Sequence, residues 1–316
     1  MATDARARAH PFGEGSGRCA VAHRGDLSVK VLITGSAGQL GRSLLKTAPA
    51  DMEIKATDVE PDIRDPAALQ KTLRSFKPAV IVNAAAYTVV DRAESERDLA
   101  FAVNAAGVEN LARAARDCGA RLIHVSTDFV FDGTKSSPYL PTDPMRPLNV
   151  YGESKAEGEK RLRAVLGDKG VIVRSGWLYA AAGNNFVKTI LRLLREKDSL
   201  GVIADQVGTP TWAGGLAEVL WKIVRDPRIA GTHHWSDAGV ASWYDFAVAI
   251  QEEALAAGLL SRTIPIRPLA TSEYPLPAKR PAYSVLDKRS MLAAIGMPPE
   301  HWRVNLRKML KELAHA

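Results

Sequence analysis

Val29-Lys-Val-Leu-Ile-Thr34 is a short aliphatic and β-branched run, and Gly35-Ser36-Ala37-Gly38-Gln39-Leu40-Gly41 follows it directly, with Leu44 and Leu45 continuing a helical pattern. The run reads as a buried strand, so the order is strand, glycine turn, helix. Small residues in such a turn let a ligand approach the backbone and leave the helix N-terminus aimed at negative charge. A tight turn holding nothing would need the same glycines, so the neighbouring residues have to decide between the two.

Moving outward, residues 53–57 form a second strand pattern that ends at Asp58, seventeen residues after Gly41. An acid at that distance suits the ribose hydroxyls of a dinucleotide. Asp58 points to NADH, whereas Arg64 and Arg42 lie near enough in sequence to take a 2′-phosphate, so NADPH and NADH both stay open. Asp62 and Ile63 are candidates for the adenine edge, or simply turn residues. Residues 66–76 follow as a helix, and 79–83 as a strand ending in Asn83-Ala84-Ala85-Ala86, whose small side chains would let a nicotinamide ribose pack on backbone. Tyr87 and Thr88 would line the substrate side. A long amphipathic helix over 98–118 precedes a strand over 121–125, which delivers Ser126-Thr127-Asp128 to the same edge. This alternation predicts an α/β fold, a doubly wound parallel sheet of Rossmann-like type with a smaller mixed α/β substrate-binding region.

Residues 132–149 carry Gly133, Pro138, Pro141, Pro144 and Pro147 and read as a loop. A helix begins at about 150, and on it Tyr151 and Lys155 stand one turn apart on one face. Alone, the pair reads as a packed aromatic and a solvated lysine. Thr127 at the neighbouring strand end turns it into a hydroxyl, a phenol and an ammonium at one site. A strand over 170–173 follows, and past Trp177 regular alternation gives way to loops. Helices are expected at 187–197, 212–225, 243–257, 287–295 and 302–313, a strand at 231–235, and an irregular Pro-rich run at 264–281. The predicted division is a disordered extension over 1–28, a dinucleotide-binding domain over 29–176 to which the chain returns at about 200–236, and a mainly substrate-binding region over 177–316.

Composition narrows the classes. The chain has 316 residues, 46% apolar and 24% charged, as in ordinary soluble domains, and no apolar run long enough for a membrane helix. The net charge of +7 is spread along the chain rather than gathered with aromatics, which argues against nucleic acid and for a phosphorylated small molecule. Cys19 and Cys118 are the only cysteines, too few for a disulfide framework or a metal site, so the cytoplasm is the expected compartment.

Taken in order, several motifs carry a resemblance: the GxxGxxG turn, Asn83-Ala-Ala-Ala-Tyr-Thr, Val90-Asp91-x-Ala-Glu94, Ser126-Thr127-Asp128-x-Val130-Phe131, Pro147-Leu-Asn-Val-Tyr151-Gly-Glu, Tyr151-x-x-x-Lys155, Asn184-Asn185-Phe186 and Asp205-Gln206-x-Gly208-x-Pro210-Thr211. Over about residues 29–313 the chain resembles the dTDP-4-dehydrorhamnose reductase family of extended short-chain dehydrogenases/reductases. The resemblance implies NADPH or NADH as cofactor and a dTDP-linked 4-keto-6-deoxy sugar as substrate, reduced at its C4 ketone by a monomer or homodimer. It implies Thr127, Tyr151 and Lys155 as catalytic residues, with Lys155 lowering the phenol's pKa. It places Gly35, Ala37, Gly38, Gln39, Leu40, Gly41, Asp58, Asp62, Ile63, Ala84, Ala85, Ala86, Tyr151 and Lys155 around the cofactor. Around the sugar nucleotide it places Thr88, Val90, Asp128, Phe129 and Trp177, with Lys188 and Arg280 as candidates for its diphosphate. Dehydratases of the same fold typically carry Glu where Phe129 stands, which favours reduction without elimination. Some relatives join through magnesium, but Arg42-Ser43 offer no acidic ligand there, and no metal is predicted. A non-catalytic regulatory subunit is the rival from another class.

Overall fold

The computed structural model describes residues 28–315, so the expected 1–28 extension lies, apart from Ser28, outside the described residues. The chain begins with β1 (Val29–Thr34), α1 (Gln39–Lys46), β2 (Met52–Thr57), α2 (Pro66–Phe76) and β3 (Val80–Asn83). Asp65 starts α2 by accepting from the amides of Ala67 and Ala68, with Pro66 in the first turn where its missing N–H costs nothing. Short helices α3 (Val90–Ala93) and α4 (Arg97–Phe101) come next, and α4 runs through a π-helical stretch at Ala102–Gly107 into α5 (Val108–Cys118). The helix expected at 98–118 is therefore continuous but widened. Asn104, in the wide turn, points inward and ties the backbone of Tyr87 to the Ser154 hydroxyl.

β4 (Arg121–Thr127) ends in a 3₁₀ turn, Asp128–Val130, and the loop after it leads to α6 (Val150–Leu166). Asn149 caps α6 through the Gly152 amide, while Glu94 accepts from the Val150 amide, so two side chains fix where this helix starts. β5 (Val171–Ser175) then completes the first half. After it come β6 (Leu178–Tyr179), α7 (Phe186–Glu196), β7 (Leu200–Ile203), β8 (Val207–Gly208), β9 (Thr211–Trp212), α8 (Ala213–Arg225) and β10 (Gly231–His234). The chain ends with β11 (Ala241–Ser242), α9 (Trp243–Ala256), β12 (Ile266–Leu269), α10 (Arg289–Ile295) and α11 (Trp302–Ala314).

The central sheet has six parallel strands in the order β10-β5-β4-β3-β1-β2. Alternate residues feed opposite faces, as pleating demands. Val31, Ile33, Val82, Ile123 and Val173 pack with α1 and α8, while Leu32, Ile81, Leu122 and Ile172 pack with α2, α5 and α6. Burial on both faces explains why these strands read as continuous apolar runs. A separate apolar cluster joins α7, α9 and α11 around Phe246, Ile250 and Leu306. Two expectations fail here. The Pro-rich run at 264–281 contains β12, which pairs in parallel with β7, so residues 200–203 join that pair and the return to the central sheet starts with α8. Among the described residues no helix is long and apolar enough to cross a membrane.

Candidate active site

Strand order reverses between β3 and β2 around β1, and a crevice at the carboxyl ends of the strands is the expected ligand site of such a sheet. A cavity of about 930 Å³ lies there, large for a single small ligand. At one end is the glycine turn. Gly35 has φ 72°, and a Cβ on it would sit 2.5 Å from the Ala85 amide nitrogen. A Cβ on Gly41 would strike the Gly35 carbonyl. Both glycines are therefore demanded by packing, whatever binds. The signal for a ligand is different: α1 has neither a side-chain cap nor an acid in its first turn, so its N-terminal amides are left for an anion.

Gly35, Ala37, Gly38, Gln39, Leu40, Asp58, Asp62, Ile63, Ala84, Ala85 and Ala86 all line the cavity, as do Thr88, Val90, Thr127, Asp128, Phe129, Tyr151, Lys155, Trp177 and Arg280. Two expected residues do not. Gly41 lies behind the turn, where it shapes the backbone. Lys188, in the first turn of α7, directs its ammonium to the Ala181 carbonyl at 3.3 Å and does not line the cavity. Asp58 accepts from the Ala37 amide at 3.1 Å, which joins the end of β2 to the turn. Arg64 also lines the cavity and forks onto Asp62, holding that carboxyl below its usual range, while Arg42 bonds the Ala37 carbonyl and stays outside the lining. Ile63 is buried against α5, and Asn110 fixes its carbonyl. Arg280 pairs with Asp91 at 2.8 Å and lines the cavity.

The catalytic candidates share this lining. Thr127 and Lys155 are buried, and Tyr151 is partly exposed to the cavity. Thr127 Oγ1 accepts from the Phe129 amide and donates to Asp128 Oδ1 at 3.0 Å, leaving Asp128 Oδ2 buried without a donor. Burial pushes Asp128 up to about 6, opposed by the hydroxyls of Ser284, which lies near the carboxyl without completing a hydrogen bond of good geometry, and of Thr127, which completes one. Lys155 donates to the Val125 carbonyl at 2.7 Å and faces His124 Nε2 at 3.3 Å. Loss of solvation pushes Lys155 down to about 8, with Glu159 opposing. The expected lowering of the phenol is reversed: loss of solvation raises Tyr151 to about 12, with the Thr127 hydroxyl opposing and the Asp128 charge adding. The phenol keeps its proton through the neutral range.

Trp177 is one of two non-glycine residues with positive φ among the described residues, at 51°, and its indole stacks on Trp243 with centroids 3.5 Å apart. One of its faces is thus covered by a partner that motif spacing did not reveal. Trp243 and Phe186 also line the cavity. Trp243 opens α9 behind a capping box, a position the sequence marks only as a helix start.

A family model described as RmlD substrate binding domain matches residues 29–315. A protein of Aggregatibacter actinomycetemcomitans named dTDP-4-dehydrorhamnose reductase is 46% identical over 288 residues, 89% of this chain and 98% of that one. The chain belongs to the dTDP-4-dehydrorhamnose reductase family. Its fold agrees with solved members of that family. The reductase of Clostridium acetobutylicum ATCC 824 superposes with TM-score 0.84 at 41% identity, covering 90% of this chain and 99% of the other. The reductase of Bacillus anthracis str. Ames, solved in complex with NADP, gives TM-score 0.85 at 36% identity, covering 90% and 100%.

Proposed function

We propose that the chain reduces the C4 ketone of dTDP-4-dehydro-β-L-rhamnose to dTDP-L-rhamnose, using NADPH or NADH, as a cytoplasmic monomer or homodimer. Family membership supports the reaction class. The observation that carries the roles is that Thr127, Tyr151 and Lys155 line one cavity together with the glycine turn. The uncapped α1 terminus and the close-packed glycine turn fit a dinucleotide diphosphate at one end, with Gly35, Ala37 and Gly38 packing beside it and the amides of Gln39 and Leu40 holding it. Asp58 suits the adenosine ribose, Asp62 and Ile63 the adenine, and Ala84, Ala85 and Ala86 the nicotinamide ribose. When bound, the nicotinamide supplies hydride.

The residues of the chain handle the charge and the proton. Ketone reduction builds negative charge on the C4 oxygen, and Tyr151, still protonated at working pH, delivers its phenolic proton there. The Thr127 hydroxyl, turning from Asp128 to that oxygen, shares the developing charge. Released from Thr127, Asp128 is free to accept from a sugar hydroxyl. Lys155 is mainly an ammonium at pH 7 and supplies positive potential beside the phenol. Thr88, Val90, Phe129 and Trp177 enclose the sugar, and Arg280 takes the diphosphate. Residues 29–176, with the return through α8 and β10, form the dinucleotide side, and most of 177–316 the sugar-nucleotide side.

The test is consumption of NADPH and of NADH with dTDP-, UDP- and GDP-linked 4-keto-6-deoxy sugars. The dTDP sugar should be reduced fastest. Equal rates with all three would refute the nucleotide assignment, and no consumption with any would refute the enzyme.

A further inference from the structure

Beneath the candidate catalytic helix a row of buried polar side chains crosses three adjacent strands. Thr34 ends β1, Asn83 ends β3 and His124 lies within β4, and the register pairs Thr34 with Asn83 and Asn83 with His124. All three side chains are buried, as is Lys155, which closes the row from α6. Unsatisfied groups would be costly at such positions, so each contact constrains the next.

The constraint starts at Ala85. Its backbone N–H lies 3.0 Å from Asn83 Oδ1, and the Thr34 hydroxyl donates to the same atom at 2.7 Å. A backbone N–H only donates, so that atom must be the amide oxygen, because a flipped amide would set two donors against each other. The Asn83 NH₂ therefore faces His124 Nδ1, 2.9 Å away. Nδ1 accepts. In a neutral imidazole the proton then resides on Nε2, which faces Lys155 Nζ. Burial pulls His124 well below its ordinary range, with Lys155 adding to the effect, so the ring stays neutral.

We infer that His124 is a positioning residue that presents its Nε2–H to Lys155 and so weakens the hold of Lys155 on its proton. An ammonium meets this N–H donor to donor, whereas an amine accepts from it. The backbone carbonyl of Val125 holds Nζ in place in either state. The other ionisable groups nearby do not supply this effect. Glu159, one turn further along α6, favours the ammonium and is itself tied to Arg174 of β5 at 2.7 Å. Tyr151 and Asp128 line the same cavity, and neither is a donor that opposes the ammonium from beneath. Asn83 thus acts at two removes, by fixing the tautomer of His124. The inference rests on the role proposed above for Lys155.

The experiment is the pH dependence of kcat for ketone reduction in the full chain, compared with His124→Gln and His124→Asn. Tyr151 stays protonated to about 12, so the alkaline limb reports Lys155. Activity falls as pH rises through the Lys155 pKa because the cation is lost. His124→Gln must give its oxygen to the Asn83 NH₂ and so keeps an N–H toward Nζ, whereas His124→Asn gives its oxygen to Asn83 and is too short to bring a donor to Nζ. The limb should move upward by about one pH unit in His124→Asn, the scale of one hydrogen bond, and stay near the wild-type position in His124→Gln. An unmoved limb in His124→Asn would overturn the inference. The ¹⁵N spectrum of the wild-type ring, assigned by through-bond correlation to its own backbone, tests the same point without activity. A pyridine-type Nδ1 and pyrrole-type Nε2 are expected, and the reverse tautomer or an imidazolium overturns it even if the variants fail to fold. Full activity in Lys155→Met would instead refute the role of Lys155.

Discussion

The turn after β1 and the turn after β4 open into the same cavity on different terms. At the first, Gly35 and Gly41 are required because any side chain would collide with backbone, so their presence is explained by folding alone. At the second, Asp128 is buried with one oxygen lacking a donor, an arrangement that costs stability and that folding does not explain. Two loops at one strand edge thus carry different information: the glycines report shape, and the stranded carboxyl reports chemistry. A residue that destabilises its own fold is better evidence for a site than one the fold needs.

The largest expected effect breaks the first turn. Gly35→Val should cost on the order of 3–5 kcal/mol, combining the strain of φ 72° with overlap at Ala85, and chemical denaturation would measure it. An unchanged midpoint would mean that the turn is not shaped by packing. The opposite sign is expected at the second turn. Folded Asp128 binds its proton more tightly than the unfolded chain, so its ionisation removes stability as pH climbs from the ordinary carboxyl value of 3.8 through about 6. Asp128→Asn should therefore gain on the order of 1–3 kcal/mol at pH 8, a gain that shrinks toward pH 4, while kcat/KM falls. A pH-independent difference in stability would contradict the buried charge.

Smaller effects sharpen the boundary of the cavity. Arg280→Ala should raise KM for the sugar nucleotide roughly tenfold with kcat little changed, as expected for one charge-assisted contact made equally before and during reaction. Lys188→Ala should change neither constant by more than about twofold, since its ammonium is spent on the Ala181 carbonyl. A tenfold KM effect there would show that α7 turns toward the substrate.

What was legible in the sequence follows from where each signal is stored. β1, β3 and β5 are buried on both faces, so their apolar runs announce them. Tyr151 and Lys155 share a helix face by spacing alone. By contrast β6, β8, β9 and β11 are two-residue pairings created by distant partners, and β12 is held by β7 some sixty residues away, so no local pattern encodes them. Trp243 escaped notice because its role depends on Trp177 adopting a backbone conformation that L-residues rarely take. His124 sits in an apolar strand, and only register shows that it touches Lys155. The direction of the Tyr151 shift also lay beyond sequence, because it depends on how far the cavity strips water from the phenol.

The central claim is that the Tyr151 phenol gives its proton to the reduced ketone. Tyr151→Phe removes that proton and little else, leaving the ring beside Phe129, whose centroid lies 5.7 Å away. Single-turnover reduction of the dTDP-linked 4-keto sugar should slow by about 10²- to 10⁴-fold while the dissociation constant for NADPH stays the same. Reduction at close to the wild-type rate would contradict the account.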